Sequence, residues 1–107
     1  MIEIRHYLTP TGQDLFQLWL NELKDSMGKA RVLTRLSRLS AGVLGDCKPV
    51  GSSVWELRID HGPGYRIYYA RAGEQLVLLL LGADKRKQQA DIAKAIKCWK
   101  DYQQRTS

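Results

Sequence analysis

Residues 55–69, WELRIDHGPGYRIYY, constrain the fold more than any other stretch of the chain. Trp55, Leu57 and Ile59 alternate with Glu56, Arg58 and Asp60, and Ile67 and Tyr69 alternate with Arg66 and Tyr68. A period of two is the signature of a strand with one covered face. His61-Gly62-Pro63-Gly64 separates the two runs with residues that favour a tight turn, so the segment reads as a hairpin. The apolar set then faces a core, while Glu56, Arg58, Arg66 and Tyr68 share the opposite, exposed face. A register change of one residue would part Arg58 from Arg66. Two arginines on one open sheet face suit a polyanion, because each guanidinium offers several donors in a fixed plane.

The rest of the chain supplies layers for that hairpin. Residues 2–8 alternate as a first strand, and Thr9 and Pro10 offer an N-cap and a first-turn proline for a following helix. Phe16, Trp19, Leu20 and Leu23 recur at helical spacing, with Leu15 widening the stripe, before Ser26-Met27-Gly28 breaks the pattern. A second helix over 29–41 buries Val32, Leu33, Leu36 and Leu39 and carries Lys29, Arg31, Arg35 and Arg38 on or beside its polar side. Residues 42–53 read as a connecting loop with at most a short strand end. Strands over 54–60, 65–71 and 76–82 form an antiparallel meander. The last of them is apolar throughout, which marks a central strand with the first strand beside it. Asp84 caps a final helix whose stripe is Ile92, Ala95, Ile96, Trp99 and Tyr102, with residues 103–107 as a frayed end. The expected fold class is α+β, in the order β-α-α-β-β-β-α, with a mainly antiparallel sheet packed by an N-terminal helical hairpin and a C-terminal helix.

With 107 residues the chain is one domain, able to bury a core without staples. Lysine and arginine number 17 against 11 acids, a formal charge of +6, which directs attention to anionic partners. Cys47 and Cys98 lie far apart and His6 and His61 are isolated, so a zinc site is disfavoured and reduced structural thiols are expected. The N-terminus lacks a signal-peptide pattern, and the longest apolar run, 76–81, is far shorter than the roughly 20 residues that span a bilayer. No membrane association and a cytoplasmic location are expected.

Lys85, Arg86 and Lys87 open the final helix, where the helix dipole disfavours positive charge by about 0.3–1 kcal/mol per residue. An anion bound to the free amides of that turn would offset the repulsion. The alternative is a solvated basic turn.

The element order, the WELRIDHGPGYRIYY segment, the LLLLGADK run and the basic closing helix together resemble RelE/HigB toxins, in particular the Gp49-like addiction-module killer group of the RelE/ParE superfamily. The likeness extends over nearly the whole chain. It implies a RelE-like fold and a ribosome-dependent mRNA endoribonuclease, the toxin of a type II toxin-antitoxin system, with no metal or other cofactor. The implied partners are a helix-turn-helix antitoxin encoded nearby, the ribosome and mRNA. The shared fold also admits a ParE-like toxin that inhibits DNA gyrase without catalysis, and an inactive relative that only binds its antitoxin.

By motif position Arg58 and Arg66 correspond to the family's catalytic cations, and Lys85 or Arg86 to the cation after the last strand. Arginine holds its charge and suits phosphate clamping, whereas a lysine with a lowered pKa transfers protons, which makes Lys85 the acid-base candidate. The chain departs from RelE itself in having Glu56 where the resemblance implies a lysine, and Asp91 and Ile92 in the early part of the last helix where it implies a tyrosine. Glu56 is either the acceptor of the 2′-hydroxyl proton or an ion-pair partner of Arg58 or Arg66. His61 is a proton shuttle or an exposed turn residue. Lys87, Tyr68 and His61 are the candidate RNA contacts, with core packing as the alternative for Tyr65, Tyr68 and Tyr69.

Overall fold

The computed structural model describes residues 1–106, and all of their side chains except that of Lys85. The chain forms β1 (Glu3–His6), α1 (Leu15–Glu22), α2 (Ser26–Ser40), β2 (Cys47–Gly51), β3 (Val54–Ile59), β4 (Tyr65–Gly73), β5 (Leu76–Asp84), a 3-10 turn (Lys85–Lys87) and α3 (Gln88–Thr106). It is a small α+β domain whose five strands make one mixed sheet in the order β1-β5-β4-β3-β2. The meander β3-β4-β5 is antiparallel, as the turns imply, and β1 joins β5 in parallel. With β5 inside the sheet, both of its faces are covered, which accounts for its unbroken apolar run.

Three local expectations are corrected. The expected loop over 42–53 contains β2, an edge strand paired with β3 and interrupted by a bulge between Pro49 and Gly51. Proline lacks the amide that a central strand needs, so an edge is the place it is tolerated. Thr9 does not cap α1. A turn closed by Gly12 N–H donating to the Thr9 carbonyl (2.8 Å) delays the helix, and the Asp14 side chain caps it by accepting from Gln17 N at 3.0 Å. Ser26-Met27-Gly28 is the first turn of α2 rather than a break, capped by Asp25 accepting from Met27 N at 3.0 Å. Gly28 is there for contact, since a Cβ would stand 2.9 Å from the Tyr65 ring.

Each sheet face has its own core. On one, Phe16 and Leu20 of α1 and Val32 and Leu39 of α2 pack on Leu57, Ile59, Tyr65, Ile67, Tyr69, Val77 and Leu79. Leu33 falls outside this core and is 55% exposed. Instead of leaning mainly on each other, α1 lies over β5 and α2 over β3. On the other face Ala95, Cys98 and Trp99 of α3 cover Val54, Tyr68, Ala70, Leu78, Leu80 and Leu81. The far end of α3 is clasped to the end of β1. Tyr7 donates to Asp101 at 2.7 Å, and Arg105 pairs with Asp101, reaches the Leu8 carbonyl and lies over the Tyr7 ring. Burial, with the hydrogen bond to Asp101, pushes the Tyr7 hydroxyl up to about 12. Residues 103–106 are accordingly helical rather than frayed. No helix among the described residues is long and apolar enough to cross a membrane.

Gly82 sets how closely α1 approaches the sheet: a Cβ there would lie 2.2 Å from Trp19 Cε3. Gly82→Ala is expected to lose about 1–3 kcal/mol or more through overpacking, read by urea unfolding; an unchanged midpoint would refute the contact. The hairpin tip is tied to α2 by His61 Nε2 and Asp25 Oδ2 at 2.8 Å. That hydrogen bond, followed by those from the Gly28 and Met27 amides, holds the Asp25 carboxyl below its ordinary 3.8. A lowered folded-state pKa contributes stability above the unfolded value and loses it as the pH falls through the folded value. The stability advantage of the wild type over Asp25→Asn should therefore be present at neutral pH and shrink below about 3.8; a gap that widens in acid would contradict the tie.

Candidate functional site

The register of the hairpin makes Arg58 and Arg66 direct cross-strand partners. Opposed side chains on adjacent strands have Cβ atoms only about 5 Å apart, so two like charges there repel unless anions separate them. Each arginine has its own acid. Arg58 Nη2 and Nε donate to Asp46 Oδ1 at 2.8 and 3.2 Å. Arg66 Nε lies 3.4 Å from Glu56 Oε2, an ion pair in charge without hydrogen-bond geometry.

The face carrying these groups is not open along its whole length, as the alternation implies. Glu56 is fully buried, and Tyr68, its cross-strand partner, is buried beneath α3. Glu56 Oε2 accepts from the Tyr68 hydroxyl and from Gln88 Nε2, both at 3.0 Å. The carboxylate thereby joins β3, β4 and the first residue of α3. Burial, reinforced by Glu56, pushes the Tyr68 hydroxyl well above its usual range. Glu56 Oε1 and Arg66 Nε and Nη1 are buried and make no hydrogen bond among the described residues.

Beyond Tyr68 the cover stops. A cavity of about 300 Å³ opens there, lined by Asp46, Arg58, Ile59, Asp60, Gly64, Tyr65 and Arg66. Arg58 is partly exposed in it, whereas the Arg66 side chain is only 14% exposed. A phosphate entering between them would meet two guanidinium groups and displace the Asp46 carboxylate from Arg58. The arrangement can bind an oxyanion and stabilise charge growing on it. Arginines this basic are poor proton acceptors.

The other anticipated residues are distributed around this centre. His61 does not line the cavity; it is bound to Asp25 and tilts against Tyr65 with ring centroids 6.4 Å apart. Arg86 is exposed and paired with its neighbour Asp84 at 2.9 Å. Asp84 caps the 3-10 turn, accepting from Arg86 N at 3.1 Å, and its carboxylate offsets part of the positive charge there. Arg86 and Lys87 line a separate cavity of about 390 Å³ with Trp19, Gly82, Ala83, Asp84 and Asp91. It adjoins the first through Ala83 and Asp84, the cross-strand partners of Arg66 and Tyr65. The side chain of Lys85 lies outside the described residues.

Asp46, Gln88 and Asp91 were not anticipated as site residues. Asp46 sits twelve residues before Arg58 in a segment without periodicity, so no local pattern joins them. Gln88 follows the basic turn and had no signal of its own. Asp91 holds its proton to higher pH than an ordinary carboxyl, mainly through burial, and its place early in the last helix is its one sequence signal. Among the described residues, no group of three or more His, Cys, Asp or Glu is placed to hold a metal ion.

Two comparisons bear on this arrangement. A protein of Haemophilus influenzae (strain ATCC 51907 / DSM 11121 / KW20 / Rd), named "Uncharacterized protein", is 45% identical over 80 residues, 75% of this chain and 81% of the relative. The family model described as "Phage derived protein Gp49-like (DUF891)" matches residues 18–100, which include Asp46, Glu56, Arg58, Arg66 and Gln88. The chain belongs to this Gp49-like family.

Proposed function

We propose that the chain is the toxin of a type II toxin-antitoxin pair, of RelE/HigB type, and that it cleaves mRNA on the ribosome to stop translation. The Gp49-like family is an addiction-module killer family, which supports the toxin role. The observation that carries the ribonuclease reading is the cavity lined by both Arg58 and Arg66, with Arg66 Nε and Nη1 making no hydrogen bond among the described residues. A gyrase-binding toxin needs no such convergent oxyanion site.

In the proposed reaction the RNA 2′-hydroxyl attacks its own 3′-phosphate. The 2′-O–P bond forms and the bond from phosphorus to the 5′-oxygen of the next nucleotide breaks, giving a 2′,3′-cyclic phosphate and a 5′-hydroxyl. Charge increases on the non-bridging oxygens, and Arg66 and Arg58 stabilise it from fixed and mobile positions respectively. Glu56, wholly buried, positions Arg66 instead of touching RNA. Lys85 and Asp91 are the proton-transfer candidates, the second because its carboxyl retains a proton more readily than usual. Lys87 and Arg86 attract the flanking backbone. An antitoxin with a helix-turn-helix domain is the proposed partner, speeding its encounter through charge and holding on through apolar contacts.

Primer extension after brief expression tests the reading. New 5′ ends within translated mRNA are expected; gyrase-dependent DNA breaks without such ends would support the ParE-like alternative, and growth without either would mark an inactive relative. Arg66→Ala should lower cleavage about a hundred- to a thousandfold, and Arg58→Ala should act in the same direction. Glu56→Gln should lower cleavage without removing a group that meets substrate, and should destabilise the fold because it leaves the Arg66 charge uncompensated. Full toxicity of the Arg66 variant at equal protein level would defeat the proposal. Coexpression of the adjacent antitoxin gene should restore growth and yield a complex that copurifies.

A further inference from the structure

We infer that the exposed side of α2 is a second binding track for single-stranded RNA, continuous with the arginine cavity, in which Arg31 and Arg38 hold backbone phosphates beyond the scissile one. The inference rests on the reading of that cavity as a phosphodiester site. A groove of about 420 Å³, lined by Arg31, Thr34, Arg35, Arg38, Ile59 and Asp60, meets the cavity of Arg58 and Arg66 at Ile59 and Asp60, which line both. The two volumes are therefore neighbours, divided only by Ile59 and Asp60, so a strand leaving one passes over Asp60 to reach the other.

The three arginines of the groove differ in what they have left to give. Arg35 is committed: its guanidinium donates to the Arg58 carbonyl and to the carbonyls of Leu44 and Asp46 at 3.3 and 3.4 Å. It pins α2 to the end of β3 and so fixes the groove beside the cavity. The side chains of Arg31 and Arg38 are exposed and have no ion-pair or hydrogen-bond partner among the described residues. Seven residues apart, they stand two turns along one helix face, about 10 Å, too far for one phosphate to bridge. Asp60, between the two basic groups, repels phosphate but accepts hydrogen bonds, so a 2′-hydroxyl or a base amino group fits there and phosphates fit on either side. The one large apolar side chain in the groove lining is Ile59, itself buried, so within the groove charge is the main basis of recognition.

Binding of 2′-O-methyl oligonucleotides, which cannot undergo 2′-hydroxyl attack, to the purified protein tests this by fluorescence anisotropy across a salt series. One oligonucleotide of about three nucleotides fills the cavity, and one of about ten extends along α2. Removing two phosphate contacts lowers the single-strand salt slope by about 0.7 each. The pair Arg31→Ala with Arg38→Ala should therefore reduce the loss of affinity for the longer strand between about 50 and 200 mM salt by about sevenfold, and the short strand should be largely spared. Arg31→Lys with Arg38→Lys should keep the wild-type slope. An unaltered slope for the longer strand in the alanine pair overturns the track, and so does a slope lost equally in the lysine pair. In either case, weakened short-strand binding by Arg66→Ala leaves the cavity reading standing. Failure of Arg66→Ala to affect the short strand overturns the cavity reading, and with it the track as its extension.

Discussion

Glu56 has no exposed surface, yet it lies 3.4 Å from Arg66, which faces a second arginine across the strands. A buried carboxylate is tolerated only with a counter-charge and hydrogen-bond donors, and here they come from Arg66, Tyr68 and Gln88. Those partners belong to β4 and to the start of α3, so one side chain fixes the helix to the hairpin and orients the inner arginine at once. Its contribution to net stability is the weaker part of its role, because desolvation offsets much of the attraction in a buried pair. Orientation is the stronger part. With Oε2 shared by three neighbours and Oε1 by none among the described residues, the geometry favours the placement of Arg66 over full satisfaction of the carboxylate.

The two opposed arginines are consequently unequal. Arg66 is 14% exposed and paired with a fully buried acid. Arg58 is held by Asp46, and both of those side chains are about half exposed. An exposed ion pair is worth about 0–1 kcal/mol, an amount that a phosphate with two or three charge-assisted hydrogen bonds readily exceeds. Asp46 thus stabilises Arg58 in the cavity without competing strongly for it, and it relieves cross-strand repulsion when no other anion is near.

The sequence was most legible where physical periodicity is strongest. A period of two with a Gly-Pro-Gly turn identified the hairpin, its core-facing residues and the shared face of Arg58 and Arg66, and an unbroken apolar run placed β5 inside the sheet. Alternation says which side chains share a face but not where a helix ends over that face. Val54, Glu56 and Tyr68 are covered by α3 while Arg58 and Arg66 border a cavity on the same side, a distinction set by the length and placement of α3. The strand β2 escaped notice because five residues containing a proline and a glycine carry no alternation. Asp46 and Gln88 reach the site through tertiary folding alone, from a loop and from the first residue of α3.

The site also depends on structure outside the family-matched residues 18–100. Strand β1 closes the outer edge of β5, and its end meets the last turns of α3 through Tyr7, Asp101 and Arg105. That clasp lies at the opposite end of α3 from Gln88, the residue that binds Glu56. A helix held at both ends cannot slide along the sheet without breaking one attachment. The chain's two terminal segments therefore help to set where the cover over the arginine face ends, and the exposed part of that face is the part available for an anion.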